Sequence, residues 1–153
     1  MLRVTKFTDY ATVVLSAMAA EATAVLSASE LAERAGLEVP TVSKLLKPLA
    51  QAGLVEGFRG ANGGYRLARP ANAISLIEIV EAMEGPVGMT ECSVHGGNCG
   101  IEDQCGVRAN WRRINDVVAE ALRSVTLAQM LSAPVLPPES LDRRRIDMRL
   151  SNA

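Results

Sequence analysis

The fold is decided by residues 27–67, which read SASELAERAGLEVPTVSKLLKPLAQAGLVEGFRGANGGYRL. Ser27 and Glu30 have the spacing of a capping box, in which each side chain binds the backbone N–H of the other residue, so a helix is expected to begin here. Gly36 is expected to end that helix, and Pro40 suits the first position of a second helix because its missing N–H is not needed there. Two helices joined by a short turn with glycine are typical of a helix-turn-helix motif.

The second helix is predicted to have one apolar and one polar face. Helical spacing assigns to the buried face Val42, Leu45, Leu46 and Leu49. The opposite face carries Thr41, Ser43, Lys44 and Lys47. A helix fits the major groove of DNA, where short polar side chains reach base edges and lysines pair with phosphates. These four polar residues are therefore candidate DNA contacts, and a solvated helix face is the alternative for the two lysines.

A β-hairpin is predicted directly after the second helix. Residues 55–58 and 65–67 have the composition of short strands, and the turn between them is rich in glycine. Arg59 begins that turn and is a candidate for a narrow minor groove, with ordinary hairpin surface as the alternative. A hairpin that follows a helix-turn-helix makes a winged helix. The expected fold class is therefore mainly α with a small β-hairpin wing.

Helical patterns flank this unit on both sides. Thr8 is expected to cap a helix before it, and Ser75 with Glu78 has the spacing of a second capping box after it. Apolar residues then recur every three or four positions over residues 107–131, which predicts one continuous helix of about 37 Å. The rest of so small a domain cannot cover the apolar side of a helix this long. A C-terminal dimerisation helix and a homodimer are therefore expected. An intrachain core contact is the alternative.

All three cysteines and the only histidine lie in one glycine-rich segment before this last helix: Cys92, His95, Cys99 and Cys105. The chain shows no secretory signal and no apolar run long enough to span a membrane, so a cytoplasmic location is expected. Thiols stay reduced in that compartment. Three clustered cysteines then predict metal binding or redox chemistry rather than a disulfide framework.

Composition narrows the class of function. Aromatic residues make up only 3% of the chain, which argues against the stacking platforms that bind single-stranded nucleic acid. The net charge of −1 is not that of a nonspecific nucleic-acid binder. Residues 1–75 carry eight Lys/Arg against six Asp/Glu, whereas residues 76–153 carry eight against eleven. The first half is therefore the better partner for a polyanion.

Several stretches of the sequence resemble the bacterial winged-helix regulators with iron–sulfur clusters, the family of IscR-like and NsrR-like proteins. The matching pieces are residues 2–11, the helix-turn-helix, the wing over residues 59–68 and the three loop cysteines. The resemblance covers residues 1–131 and is greatest to regulators of the SUF iron–sulfur assembly operon.

The resemblance implies an iron–sulfur cluster held by Cys92, Cys99 and Cys105, because soft thiolates suit such clusters. Both a 2Fe–2S and a 4Fe–4S cluster are compatible with three cysteines. Zinc with one further ligand is the alternative metal, and an inert structural loop is the alternative to metal binding.

The fourth ligand is open. IscR-like members have a histidine three residues after the third cysteine, and Arg108 stands there in this chain and cannot be a ligand. NsrR-like members use an aspartate from the first helix of the partner subunit, and Asp9 matches that position. His95 within the loop, or a small molecule or water, is the alternative.

Four regions are expected from these patterns. Residues 1–88 form the winged helix-turn-helix DNA-binding domain, and residues 89–106 form the cysteine-containing cluster-binding loop. Residues 107–131 form the dimerisation helix, and residues 132–153 form a flexible tail. The tail carries the run Arg143-Arg144-Arg145, for which a solvated tail is favoured over a nucleic-acid arm.

The expected function is cluster-sensing transcriptional regulation, as a repressor of SUF genes that binds double-stranded operator DNA as a homodimer and has no small-molecule substrate. A nitric-oxide-responsive or redox-responsive repressor of the same family is an alternative. Two other classes stay open. One is an enzyme with a reactive thiol, although the chain has no Cys-x-x-Cys pair. The other is a zinc-stabilised winged-helix module that binds proteins.

Overall fold

The computed structural model describes residues 4–93, 100 and 104–132. It is mainly helical with one two-stranded antiparallel hairpin, as predicted. The elements in chain order are α1 (Lys6–Ala20), α2 (Ala28–Ala35), α3 (Val39–Gln51), β1 (Val55–Phe58), β2 (Gly64–Leu67), α4 (Leu76–Glu84), α5 (Arg108–Ser124) and α6 (Leu127–Ser132). Short 3-10 turns occupy Ala71–Ala73 and Glu91–Ser93.

The predicted helix-turn-helix is present as α2 and α3. The backbone N–H of Ser27 donates to the Glu30 carboxylate at 2.8 Å, and the N–H of Glu30 donates to the Ser27 hydroxyl at 3.2 Å, which completes the capping box. Gly36 ends α2 in the left-handed conformation, with φ of 65°, where glycine is favoured. Helix α3 begins at Val39, so Pro40 is its second residue rather than the predicted first.

One hydrophobic core joins helices α1 to α4, the strands and α6. Helix α1 packs against α2, α3 and α4, and the apolar side of α3 faces the same core. Fully buried large side chains are Leu15, Leu31, Leu45, Leu46, Leu49, Leu54, Ile74, Ile79 and Leu127.

The wing is fixed to the helix-turn-helix by backbone hydrogen bonds. Strands β1 and β2 pair in antiparallel register, with Val55 opposite Leu67. The segment before α2 adds a bridge to the hairpin, because the N–H of Leu26 donates to the Tyr65 carbonyl at 2.9 Å and the N–H of Tyr65 donates to the Leu26 carbonyl at 2.7 Å. The orientation of the wing relative to α2 is thereby set by main-chain geometry.

The prediction of one helix over residues 107–131 is wrong. Helix α5 ends at Ser124, Val125 is extended, and α6 begins at Leu127. The carbonyl of Val125 accepts from the Leu76 N–H at 2.8 Å, and the N–H of Leu127 donates to the Ile74 carbonyl at 2.8 Å. Bringing Leu127 into the core (0% exposed) requires the chain to turn back here, which a continuous helix would prevent.

The predicted cap of the first helix also differs. Thr5 is the N-cap residue of α1, and Thr8 lies within the first turn, buried and 1% exposed. The Thr8 hydroxyl donates to the Glu84 carboxylate at the end of α4. A residue 76 positions away therefore decides the role of Thr8, which local spacing did not reveal.

No helix in the described ranges is long and apolar enough to cross a membrane. The predicted tail with Arg143-Arg144-Arg145 lies outside those ranges, apart from Ser132, the last residue of α6. The boundaries proposed at residues 88 and 106 stay predictions.

Candidate nucleic-acid interface and cysteine loop

Helix α3 presents the predicted polar face to solvent. Ser43, Lys44 and Lys47 are exposed and Thr41 is half-buried. The four apolar residues predicted for the opposite face are all buried. Because the helix is held by its apolar side, its polar side is free to enter a groove about as wide as a helix.

The wing carries a second basic position. Arg59 is exposed at the end of β1. Arg66 on β2 pairs with Glu56 at 3.1 Å and lies 4.9 Å from the centre of the Phe58 ring. This cation–π contact and ion pair hold Arg66 against the hairpin. Arg59 is therefore the better candidate of the two for a phosphate or a minor groove.

Helix α3 and the wing are continuous in structure as well as in sequence. The carbonyl of Leu54, between α3 and β1, accepts from the Ala68 N–H at 3.0 Å after β2. Leu49, Leu54 and Leu67 belong to the same core cluster. Helix α3 and the wing therefore keep a fixed mutual geometry, which would suit a two-part DNA contact.

Parts of the cysteine loop are described. Cys105 is half-buried as a free thiol, three residues before α5. Cys92 lies in the turn Glu91–Ser93, which packs against α5. Cys99 and His95 lie outside the described residues, and so does the side chain of Cys92. Within the described ranges no three Cys, His, Asp or Glu side chains are grouped for metal binding, so the predicted ligand set stays a prediction.

The segment before Cys92 is tied to α5. The N–H of Met89 donates to the side-chain oxygen of Asn115 at 3.1 Å, and Asn115 is a buried polar residue of α5. The hydroxyls of Thr90 and Ser93 lie 2.7 Å apart across the turn. Sequence reasoning missed Asn115, because one polar residue among the many on α5 gives no signal of a distant partner.

Asp9 is exposed in the first turn of α1, as its place in the sequence suggested. It lines a groove of about 360 Å³ whose apolar part includes Leu76, Leu122 and Met130. Leu122 is 14 residues beyond Arg108, the first residue of α5, a separation of about 21 Å along the helix. Asp9 therefore shares its groove with a residue near the C-terminal end of α5, whereas Cys105 precedes the N-terminal end of that helix.

Glu84 is a further residue that the sequence did not single out. Its carboxylate accepts from the Thr5 N–H at 2.9 Å and from the Thr8 hydroxyl. Hydrogen bonds from Thr8 and from Thr5 lower the pKa of Glu84, outweighing the effect of partial burial. The last residue of α4 thus holds the first turn of α1.

Comparison with known proteins agrees with this architecture. The Rrf2 family model, described as an iron-dependent transcriptional regulator, matches residues 4–133. Protein aau3 of Rhizobium meliloti is 37% identical over 133 residues, which cover 86% of both chains. The HTH-type transcriptional regulator IscR of Escherichia coli is 32% identical over 104 residues, which are 68% of this chain and 64% of the E. coli protein.

Two solved structures are similar in sequence and in fold. CymR, the global cysteine regulator of B. subtilis, is 30% identical with a TM-score of 0.66, over 86% of this chain and 98% of CymR. T. potens IscR is 30% identical with a TM-score of 0.61, over 85% of this chain and 86% of that one. The chain therefore belongs to the Rrf2 family of iron-dependent transcriptional regulators, which are winged-helix DNA-binding proteins and not enzymes.

Proposed function

We propose that this protein is a cytoplasmic, homodimeric, cluster-sensing repressor of iron–sulfur assembly (SUF) genes. The observation that carries the proposal is the set of three cysteines between the winged helix and α5, with Cys105 a free thiol three residues before α5. The similarity to E. coli IscR and T. potens IscR supports DNA-linked regulation.

The donor set fits an iron–sulfur cluster. Cys92, Cys99 and Cys105 supply three soft thiolates, the usual cluster ligands. The half-buried position of Cys105 next to α5 would shield a bound group partly from water. A bound cluster would supply sensitivity to oxygen, nitric oxide or iron supply. Zinc stays the alternative metal for the same thiolates.

Asp9 is the proposed fourth ligand, contributed across the dimer. Within one chain it lies near the C-terminal end of α5, whereas Cys105 precedes the N-terminal end. Leu122, which lines the groove with Asp9, lies about 21 Å along α5 from Arg108, and this separation supports a contribution from the partner subunit's Asp9 rather than from Asp9 of the same chain. The other candidate is His95, which belongs to the loop sequence itself. Two such cross-links would make the cluster part of the dimer interface.

Helix α5 supplies the surface for that dimer. Val107, Trp111, Ile114 and Val117 are large apolar residues at helical spacing and are between 38% and 54% exposed. Exposed apolar residues that share one side of a helix mark an interaction surface. A second α5 of the same kind is the simplest cover, and the two winged helices would then read half-sites of a pseudo-palindromic operator.

The likeness to CymR favours a second candidate. CymR of B. subtilis is the global cysteine regulator. The structural match to this chain covers 98% of the CymR chain. A regulator of that kind would respond to cysteine supply, and its loop cysteines would not need to hold a metal. The two candidates differ in the role of the loop cysteines.

The test is anaerobic purification followed by visible absorption and by iron and sulfide assays on one sample. The proposal expects a coloured protein with matched iron and sulfide, and loss of both in Cys105→Ser. Bound zinc would make the loop structural. Metal-free protein that resists reconstitution yet binds operator DNA would favour the CymR-like candidate.

Target genes are tested on the same samples by sequencing the genomic fragments that holo and metal-free proteins retain. Enrichment of promoters of iron–sulfur assembly genes supports the proposal. Enrichment of other promoters only would contradict the SUF assignment while leaving the cluster assay unaffected.

A further inference from the structure

We propose that Glu84 is a positioning residue that connects the cysteine segment to the first turn of α1 and so fixes Asp9 for its role at the partner's loop. This inference rests on the proposed function for the role of Asp9. The contacts of Glu84 itself are independent of any metal.

The Glu84 carboxylate accepts the hydrogen bond that, in a capping box, a side chain of α1 itself would accept. In a capping box the third helical residue accepts a hydrogen bond from the N-cap N–H. The third residue of α1 is Thr8, which cannot accept from that N–H as a glutamate would. Glu84 accepts from the N-cap residue Thr5 at 2.9 Å and from the Thr8 hydroxyl, so α4 completes the cap of α1.

Asp9 follows Thr8 directly and lines the same groove as Thr5 and Thr8. The Asp9 carboxylate moves with the first turn of α1, because backbone hydrogen bonds join the residues of that turn. The N–H of Asp9 itself donates to the Thr5 carbonyl at 3.2 Å. Any change at Thr5 therefore reaches Asp9 within one helical turn.

On its other side Glu84 leads into the cysteine segment. Gly85 follows with φ of 86°, a conformation that favours glycine, and ends α4 by donating to the Glu81 carbonyl at 3.0 Å. Four residues later Met89 is bound by Asn115 of α5. The short piece from Glu84 to Met89 is therefore fixed at both ends, to α1 and to α5, immediately before Cys92.

These contacts give one continuous route from the loop to α1. A displacement of the Cys92 turn would be passed through residues 85–89 to Glu84 and then to Thr5, Thr8 and Asp9. Replacing a residue that hydrogen-bonds to a metal ligand and orients it typically lowers metal affinity by about 10-fold to 100-fold. We expect Glu84→Ala to speed cluster loss by at least tenfold.

The experiment is a double-mutant cycle on anaerobically loaded protein. Cluster loss to an iron chelator is followed by visible absorption in wild type, Glu84→Ala, Asp9→Ala and the double variant. If Glu84 acts through Asp9, the double variant loses its cluster no faster than Asp9→Ala alone. Additive effects would overturn the coupling. Glu81→Ala, an exposed glutamate on the same helix, is the matched control and should match wild type.

A second measurement needs no cluster. Hydrogen exchange of the peptide covering residues 4–12 is compared in metal-free wild type, Glu84→Ala and Glu84→Gln. Faster exchange confined to that peptide in Glu84→Ala, with partial rescue by glutamine, which keeps an acceptor oxygen, supports the positioning role. Unchanged exchange would overturn it. If wild type holds no cluster at all, the proposed function fails, while this measurement still decides what Glu84 does to α1.

Discussion

Gly64 is the residue at which the wing meets the helix-turn-helix. A Cβ atom at this position would lie 2.5 Å from the Leu26 carbonyl oxygen and 2.6 Å from the Leu26 carbonyl carbon. Both are backbone atoms of the bridge between Leu26 and Tyr65, so neither can move without breaking it. Gly57 on the facing strand is different, because a Cβ there would meet only the Tyr65 ring, at 3.5 Å.

Gly64→Ala is therefore expected to destabilise the domain by about 2 to 3 kcal/mol, at the upper end of the cost of overpacking. Chemical denaturation followed by circular dichroism measures the change. Gly57→Ala is the matched control and should cost less than about 1 kcal/mol, because its new methyl group makes ordinary van der Waals contact. Equal stabilities for the two variants would contradict the steric argument.

Carboxylates that accept hydrogen bonds at helix ends should make the stability of the fold depend on pH in the acid range. Burial alone would raise the pKa of Glu78, but hydrogen bonds from the Ser75 backbone and from Arg69 lower it below the usual value of 4.5. A lowered folded-state pKa contributes stability above the unfolded pKa, and this contribution is lost as the pH falls through the folded value.

Stability should accordingly decline below about pH 4.5, and Glu78→Gln should decline less steeply than wild type over that range. Urea midpoints measured from pH 7 to pH 3 test this on metal-free protein. Identical pH profiles for the two proteins would show that Glu78 is not one of the groups responsible. The Arg69–Glu78 pair at 2.6 Å would then be worth little, as for many exposed pairs.

At the scale of the element, the exposed face of α3 carries two lysines, Lys44 and Lys47. Lys47→Ala should weaken binding to all DNA sequences and lower the salt dependence of binding by about one counterion per subunit. Affinities measured by fluorescence anisotropy between low and moderate salt give this slope. Arg123→Ala removes a charge from α5, where Arg123 pairs with Glu120, and should leave the slope unchanged. A wild-type slope in Lys47→Ala would exclude a phosphate contact at this residue.

Elements that depend on neighbours in sequence were predicted well. The capping boxes at Ser27 and Ser75, the stop at Gly36 and the hairpin all follow from spacing within a few residues, and the structure contains them. The break between α5 and α6 was also encoded locally. Thr126 and Gln129 form a capping box, with the Thr126 N–H donating to the Gln129 side chain at 2.8 Å. Regular apolar spacing across the break concealed this signal.

Contacts between distant parts of the chain were not predictable in this way. Threonine is a residue type that often caps helices, so Thr8 was predicted to do so. Only the packing of α4 against α1 makes Thr8 a partner of Glu84. The same holds for the site. The sequence singles out cysteines, a histidine and Asp9 as candidate ligands, but the groove that Asp9 shares with Leu122 of α5 depends on the tertiary fold.

For the whole molecule, the prediction concerns assembly. Ile114 is 43% exposed on α5 beside Trp111 and Val117, so an aspartate there would be desolvated in a dimer formed through this face. Ile114→Asp should weaken the dimer by about 30-fold or more, as for a central interface residue. Sedimentation velocity on metal-free protein measures this.

Ala109→Asp introduces the same charge on the opposite side of α5 and is the control. It should dimerise as wild type does. A stable Ile114→Asp dimer would place the subunit contact on another surface, and the partner subunit's Asp9 would then need a different route to the loop.

The burial of Leu127 has a consequence for how the protein is made. A ribosome releases the chain from its first residue onward, and domains often begin to fold before synthesis is finished. Here the core around α1 and Ile74 stays open until Leu127 has emerged, after all three cysteines. A product that stops early would therefore have an incomplete core and be exposed to proteases. Every stable winged helix of this kind would then also carry the three cysteines.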